Sequence, residues 1–266
     1  MGQVGIIGAG NMGESILKAL LKNGFKKDSV VFSESKKERA SYIEKTYGVK
    51  NTKKAAALVK GSGCLIIAVK PQDAKKVLQD IAASISNSQV IVSIMAGVTI
   101  SNILSLLGKP VKIVRVMPNI AIKVGEGVIG VAAGTDVTRE EMKAVVDMFS
   151  SMGLVVEVGE DLMDAVTSLG ASSPAFFLLF LEAMIDAGVK IGMPRDKARA
   201  ICVQVIKGTL AMLEEEQVHP TVMREMITSP GGTTIAGLAV LEGRAFKGSV
   251  IDAIEKACKR SRELSL

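Results

Sequence analysis

Tryptophan is absent from this 266-residue chain, histidine occurs once, and the aromatic residues together make up only 3%. Without aromatic platforms on which bases stack, a channel for single-stranded nucleic acid is excluded. A net charge of +6, from 33 Lys and Arg against 27 Asp and Glu, does not restore it. The basic residues fall in scattered pairs, such as Lys26-Lys27, Lys53-Lys54 and Lys75-Lys76, rather than along one stripe. Most are solvated surface, and a few suit an anionic cofactor. No nucleic-acid partner is expected.

Reactive side chains are equally scarce. His219 stands before Pro220 at a helix start, where it reads as a loop residue rather than a catalyst, and no Ser-His-Asp or Cys-His arrangement can be built on it. Cys64, Cys202 and Cys258 are odd in number and lack CxxC spacing, so they form neither a disulfide framework nor a zinc site and read as buried thiols. No cluster has metal-ligand spacing, and no metal is expected. The longest apolar run of the second half, Ala175 to Leu181, stops at Glu182, short of a bilayer span. Val4-Gly5-Ile6-Ile7 reads as a strand, not as part of a signal peptide. The expectation is a soluble, cytoplasmic protein with no membrane partner, whose chemistry comes from a cofactor.

What is present is a strong alternation. Short Val/Ile runs at Val4–Ile7, Ser29–Ser33, Cys64–Val69, Gln89–Ile94 and Val111–Val116 are separated by helical stretches such as Glu14–Lys22, Lys36–Tyr47 and Gln72–Ile85. Gly127–Ala133 and Leu154–Val158, around a helix at Arg139–Ser151, extend the pattern. Continuous apolar strands with helical crossovers imply a parallel sheet covered on both faces. After about Glu160 only helical pattern remains, broken at Gly192-Met193-Pro194, His219-Pro220, Ser229–Gly232 and Gly243. The expected division is a dinucleotide-binding domain over 1–160 and a helical substrate-binding and dimerisation domain over 161–266. The helix around Pro174–Val189 is apolar nearly all round and must be covered on most sides, which points to subunit association.

The first strand runs into Gly8-Ala9-Gly10-Asn11-Met12-Gly13 and then a helix. Gly8 permits a tight turn, Gly10 lets the backbone approach a pyrophosphate, and Gly13 lets helix and strand pack closely, while the helix N-terminus supplies amide donors. The fold class expected is therefore α/β, a Rossmann-like doubly wound and mainly parallel sheet with a C-terminal all-helical domain. Where the second strand ends, Glu34 suits the ribose diol of NAD, whereas Ser33, Ser35, Lys36, Lys37 and Arg39 suit the 2′-phosphate of NADP. NADPH is the cofactor expected, with NADH as the alternative. Ala68-Val69-Lys70-Pro71 and Met95-Ala96-Gly97 follow two later strands and should flank the nicotinamide and its ribose.

A second anion site is expected at Ser229-Pro230-Gly231-Gly232-Thr233-Thr234, where glycines free the backbone and the threonines can cap a helix running to about Leu241. Gly170-Ala171-Ser172-Ser173-Pro174 is a further run of small residues opening the most apolar helix. A dinucleotide meeting a small carboxylate is the layout of a small reductase.

These motifs, with Arg115-Val116-Met117-Pro118-Asn119, Asp161–Thr167, Asp186-Ala187-Gly188-Val189, Gly192–Arg195, Leu241-Glu242 and Arg260–Leu264, resemble the pyrroline-5-carboxylate reductases over nearly the whole chain. Two departures stand out. Family members usually follow Met-Pro-Asn with Thr-Pro, where this chain has Ile120-Ala121. They often show Ser-Gly-Ser-Gly-Pro-Ala-Tyr, where this chain has Gly170-Ala171-Ser172-Ser173-Pro174-Ala175-Phe176. The resemblance implies hydride transfer from NAD(P)H to the imine carbon of Δ1-pyrroline-5-carboxylate, giving proline in the last step of proline synthesis. It implies that the backbone of Ser229, Gly231, Gly232 and Thr233 holds the substrate carboxylate, that Thr234 hydrogen-bonds the ring nitrogen as the catalytic contact, and that Glu160 binds substrate. It further implies dimers through the helical domain, often assembled into larger rings.

Two alternatives remain at this stage. A β-hydroxyacid dehydrogenase would need a lysine early in the long interdomain helix, and Ser168 to Glu182 contains none. A non-catalytic NAD(P)-sensing protein would keep Gly8–Gly13 without needing the Gly231–Thr234 loop.

Overall fold

The computed structural model describes residues 2–264. Strands β1 (Val4–Ile7), β2 (Val30–Ser33), β3 (Lys50–Asn51) and β4 (Cys64–Ile67) alternate with helices α1 (Asn11–Lys22), α2 (Lys37–Tyr47) and α3 (Ala55–Gly61). Helix α4 (Ala74–Ala82), β5 (Val90–Ser93), α5 (Ile100–Leu107), β6 (Lys112–Pro118), β7 (Gly127–Ala133), α6 (Arg139–Phe149) and β8 (Gly153–Glu157) follow. The strands form one sheet in the order β3-β2-β1-β4-β5-β6-β7-β8. Every neighbouring pair is parallel except β6 with β7. This is the doubly wound, mainly parallel α/β arrangement that the alternation implied. The two-residue strand β3 had no apolar run to announce it.

Both sheet faces are covered, which is why the strands read as unbroken apolar runs. On one face Val4, Ile6, Cys64 and Ile66 pack against Leu17 and Leu20 of α1, Ile43 of α2 and Phe149 of α6. On the other, Ile7, Leu65 and Ile67 meet Leu58 of α3, Leu78 and Ile81 of α4, and Ile103 of α5. The boundaries have local causes. Gly48 and Gly108, at φ 67° and 66°, close α2 and α5 in the left-handed conformation that glycine adopts freely. Thr138 and Glu141 cap α6 reciprocally, Thr138 Oγ1 accepting from Glu141 N–H and Glu141 Oε2 from Thr138 N–H.

Packing divides the chain into two compact units, one holding the residues up to Ala171 and those from Ala257 onward, the other Ser172–Lys256. The short helix α7 (Met163–Val166) and most of a π-helical turn, Thr167–Ser172, end the first stretch of the first unit at Ala171. Within it Ser261 Oγ donates to Asp164 Oδ1 at 2.5 Å. The second unit holds α8 (Ser173–Lys190), α9 (Arg195–Glu216), α10 (Pro220–Met226), α11 (Thr233–Gly243) and the start of α12 (Phe246–Glu263). The helix breaks fall where Gly and Pro placed them. A Cβ at Gly188 would lie 2.9 Å from that of Ala198, so α8 and α9 cross closely because this position is bare.

None of the 18 residues of α8 is buried, and Phe177, Leu178 and Leu179 are exposed. The helical run Glu160–Lys190 contains an 18-residue stretch of mean hydropathy 1.5, long and apolar enough to cross a membrane by length and composition. The sequence expectation of no such segment treated Glu182 as the end of the run. The helix instead continues through it.

Candidate active site

The order β3-β2-β1-β4 places a topological switch between β1 and β4, where successive crossovers leave the sheet in opposite directions and open a crevice at the strands' carboxyl ends. Two backbone contacts hold the mouth of that crevice: Gly8 N–H donates to the Ser33 carbonyl at 2.8 Å, and Ala68 N–H to the Ile7 carbonyl at 2.8 Å. The cleft there measures about 560 Å³. It is lined by Gly8, Gly10, Ser33, Ser35, Lys36, Ala68, Val69 and Lys70 from the expected cofactor set, together with Glu34, Arg39, Lys53 and Gln72.

The three fingerprint glycines have distinct structural reasons. Gly8 sits at φ +94°, and a Cβ there would lie 2.8 Å from the Ala68 carbonyl oxygen. A Cβ on Gly13 would lie 2.1 Å from the Gly8 carbonyl oxygen, so α1 approaches the loop as only a glycine permits. A Cβ on Gly10 would meet nothing within 4 Å beyond its chain neighbours. Its backbone is open on the side where a pyrophosphate approaches, and it stands as N-cap of α1 with no side chain on the helix amides. These features fit a dinucleotide.

Asn11, Met12 and Gly13 belong to α1 and do not line the cleft; Met12 packs instead against the core. Pro71 begins the turn behind Lys70. Ala96 is exposed and Gly97, at φ +73°, turns the chain after β5. Neither lines the cleft described above.

A charged network that the sequence does not announce fastens α2 to the Gly-rich loop. Arg39 Nε donates to the Ala9 carbonyl at 2.7 Å, its Nη2 pairs with Glu14, and Tyr47 Oη donates to Glu14 Oε1 at 2.8 Å. Burial works against the Glu14 carboxylate, but the hydrogen bonds from Arg39 and Tyr47 outweigh it and hold its pKa below the usual value. Burial and the bond to Glu14 push the Tyr47 phenol up to about 12.

Glu160 lies at the start of a turn after β8, and its Oε1 accepts from Ile100 N–H, at the head of α5, at 2.7 Å. Arg115 Nη1 donates to the same oxygen at 3.3 Å. Arg115 is 2% exposed, and its Nε and Nη2 have no partner among the described residues. The Glu160 carboxylate is thus engaged within the first unit, tying the loop after β5 to β6. Asn119 makes a second tie, donating from Nδ2 to the Gly170 carbonyl at 2.9 Å while its Oδ1 accepts from Val128 and Ala121 N–H. The Ala121 bond is unavailable to chains with proline at that place, so the Ile120-Ala121 departure gives Asn119 an extra anchor.

In the second unit, Gly231 adopts φ +67°, and Gly232 N–H donates to the Ser229 carbonyl at 3.2 Å. The N-cap of α11 is Gly232, with no side chain on the first amides. The threonines therefore do not cap the helix, as the sequence reading had them; Thr233 and Thr234 are its first two residues. The difference leaves the helix N-terminus open to an external acceptor. His219 caps α10, its Nδ1 accepting from Thr221 N–H at 3.2 Å, and Cys64, Cys202 and Cys258 are free thiols. Among the described residues no group of His, Cys, Asp and Glu is arranged to hold a metal ion.

Comparison with known proteins decides the family. A pyrroline-5-carboxylate reductase of Synechocystis is 39% identical over 264 residues, 98% of each chain. The chain belongs to the pyrroline-5-carboxylate reductase family. Residues 160–264 match the family model described as pyrroline-5-carboxylate reductase dimerisation, and residues 3–97 one described as NADP oxidoreductase, coenzyme F420-dependent. Among solved structures, the Plasmodium falciparum pyrroline carboxylate reductase with NADP bound superposes with TM-score 0.90 at 32% identity, over 99% of this chain and 98% of that one. The Coxiella burnetii pyrroline-5-carboxylate reductase does so with TM-score 0.93 at 28% identity, over 100% and 99%.

Proposed function

We propose that this member of the family reduces Δ1-pyrroline-5-carboxylate to L-proline with NADPH, NADH serving as the alternative donor. The observation carrying the reading is full-length kinship with reductases in a chain whose Gly8–Gly13 loop leaves backbone room for a pyrophosphate. When bound, the nicotinamide supplies the hydride that the imine carbon accepts.

The rest falls to the protein's own groups. The α1 amides and the backbone at Gly8 and Gly10 hold the pyrophosphate, and Ser33, Ser35 and Lys36 the adenosine ribose and its phosphate. Ala68, Val69, Lys70, Pro71, Ala96 and Gly97 flank the nicotinamide half. The backbone of Ser229, Gly231, Gly232 and Thr233 holds the substrate carboxylate at the uncapped α11 N-terminus. Thr234 hydrogen-bonds the ring nitrogen. A protonated imine is already electrophilic, so positioning supplies much of the rate without metal or histidine. Glu160, held by Ile100 and Arg115, contributes to substrate binding through the loop it orders.

The helical region from 161 is read as the substrate-binding and dimerisation domain. Its exposed apolar α8 supports a homodimer, with larger rings built from dimers, and the compartment proposed is the cytoplasm. Loss of NADPH absorbance on adding pyrroline-5-carboxylate, with proline formed in equal amount, is the test. Tight NADPH binding without turnover on this imine overturns the assignment.

A further inference from the structure

Resting on the reductase reading above, we infer that Arg115 is a positioning residue for the reduction. Acting through Glu160, it fixes the loop after β5 that flanks the nicotinamide.

Arg115 stands where an apolar residue is expected. Along β6, Val114 and Val116 join the core on one sheet face, while Ile113 and Met117 pack on the other, against α5 and α7 respectively. Arg115 shares that second face, between Ile113 and Met117, and is 2% exposed. Its Nε and Nη2 meet no acceptor among the described residues, and its ion-pair partner there is Glu160. A buried guanidinium satisfied on one side only costs more than an apolar side chain of its size would. Stability alone gives no reason for an arginine at this place.

What the pair holds is the chain between β5 and α5. That segment is pinned at its start by Ile94 N–H, which donates to the Ile67 carbonyl at 3.1 Å, and it turns at Gly97, φ +73°. At its end Thr99 caps α5, its Oγ1 accepting from Asn102 N–H at 3.1 Å. Glu160 Oε1 takes the first helical amide, that of Ile100, at 2.7 Å, a favourable place for negative charge. The Glu160 side chain is 31% exposed and that of Arg115 only 3%. The arginine is therefore the fixed member, and its Nη1, 3.3 Å from the same Oε1, sets where the carboxylate points. Ala96 and Gly97 lie between the two pins. A shift of the loop by about an ångström is enough to cost about a hundredfold in a reaction that depends on position.

The test compares the wild type with Arg115→Met, Arg115→Lys, Glu160→Ala and the double variant Arg115→Met with Glu160→Ala. Methionine fills the apolar site without the charge, and lysine keeps the charge. In nucleotide-free protein, hydrogen exchange over residues 94–103 is expected to quicken in Arg115→Met and Glu160→Ala, while that over α2 stays as in the wild type. In a single turnover with saturating imine, the first-order rate constant of NADPH oxidation is expected to fall about ten- to a hundredfold in Arg115→Met, with NADPH affinity unchanged. That constant does not depend on how much of the protein is folded, so lost stability alone leaves it at the wild-type value. Arg115→Lys should recover part of the rate, and the double variant should be no slower than Glu160→Ala. Arg115→Gln replaces Arg115→Met if the latter does not fold. Unchanged exchange over 94–103, a wild-type rate constant without Arg115, or losses that multiply in the double variant each overturn the proposal. If the wild type itself does not oxidise NADPH on this imine, the reductase reading falls, a result separate from an unaltered rate constant.

Discussion

Gly13 and Gly10, three residues apart at the start of α1, are expected to respond oppositely to the same added methyl group. At Gly13 a Cβ would lie 2.1 Å from the Gly8 carbonyl oxygen, against the 3.0 Å below which such contacts essentially never occur. Helix and loop must part by nearly an ångström. Overpacking of this kind costs about 1–3 kcal/mol, and the gain from replacing glycine by alanine inside a helix returns about 1 kcal/mol. Because the clash is with backbone and not with the end of a flexible side chain, the cost lies at the upper end of the overpacking range, about 2–3 kcal/mol. Gly13→Ala is therefore expected to lose about 1–2 kcal/mol, and each kcal/mol lowers the thermal midpoint by about 2–4 °C in a chain of this size. At Gly10 the backbone angles, φ −65° and ψ −169°, suit alanine, and a Cβ meets nothing within 4 Å. The entropy removed from the unfolded chain, about 0.4–1 kcal/mol, offsets the poorer N-cap, of similar size. Gly10→Ala should melt like wild type yet bind NADPH at least about tenfold more weakly, or about 1.4 kcal/mol, because its methyl occupies the pyrophosphate's approach. Melting of the nucleotide-free proteins by far-ultraviolet circular dichroism, with calorimetric NADPH titration, reads both. Wild-type stability in Gly13→Ala, or wild-type affinity in Gly10→Ala, refutes the reasoning.

Thr234→Ala should lower turnover while NADPH affinity stays unchanged; undiminished kcat removes Thr234 from the mechanism. Glu14→Gln should cost about 1–2 kcal/mol at neutral pH by leaving Arg39 and Tyr47 short of an acceptor. Because the folded pKa of Glu14 lies below its ordinary value of 4.5, its contribution is present above that value and fades as pH falls through the folded pKa. Urea melts should therefore show the gap between variant and wild type closing in acid, and a gap constant with pH refutes the assignment. Tyr47 runs the other way: its pKa rises from 10.0 to about 12, so its share is full below 10 and is lost as pH climbs through 12. Tyr47→Phe should thus converge on wild type only in strong base. Burial pushes the Cys64 thiol up to about 12, so iodoacetamide should leave it unmodified in the native protein and label it on unfolding. Labelling in the native protein would show that β4 opens to solvent.

The sequence by itself determined the strand–helix alternation, the glycine fingerprint and the helical second half. Each is a local pattern: β1, β4 and β5 are apolar on both faces, Gly8 needs a positive φ, and Gly and Pro stop helices wherever they stand. The open start of α11 was legible for the same reason, though its cap was not, since Gly232 rather than a threonine takes that place. Strand β3 was missed because two polar residues pair with Val31 and Phe32 only once α2 has turned the chain back. The roles of side chains were beyond reach for a related reason. Glu34 reads from the sequence as a ribose-diol ligand, and only the fold shows it hung on Ala9, 25 residues away. Arg39, a phosphate candidate in the sequence, lines the cleft while giving Nε to the loop carbonyl and Nη2 to Glu14. Glu160 meets Ile100 and Arg115, 60 and 45 residues distant. Periodicity and turn chemistry are properties of neighbours along the chain. The occupant of a hydrogen bond is decided by what the sheet brings within 3 Å, which tertiary structure alone supplies.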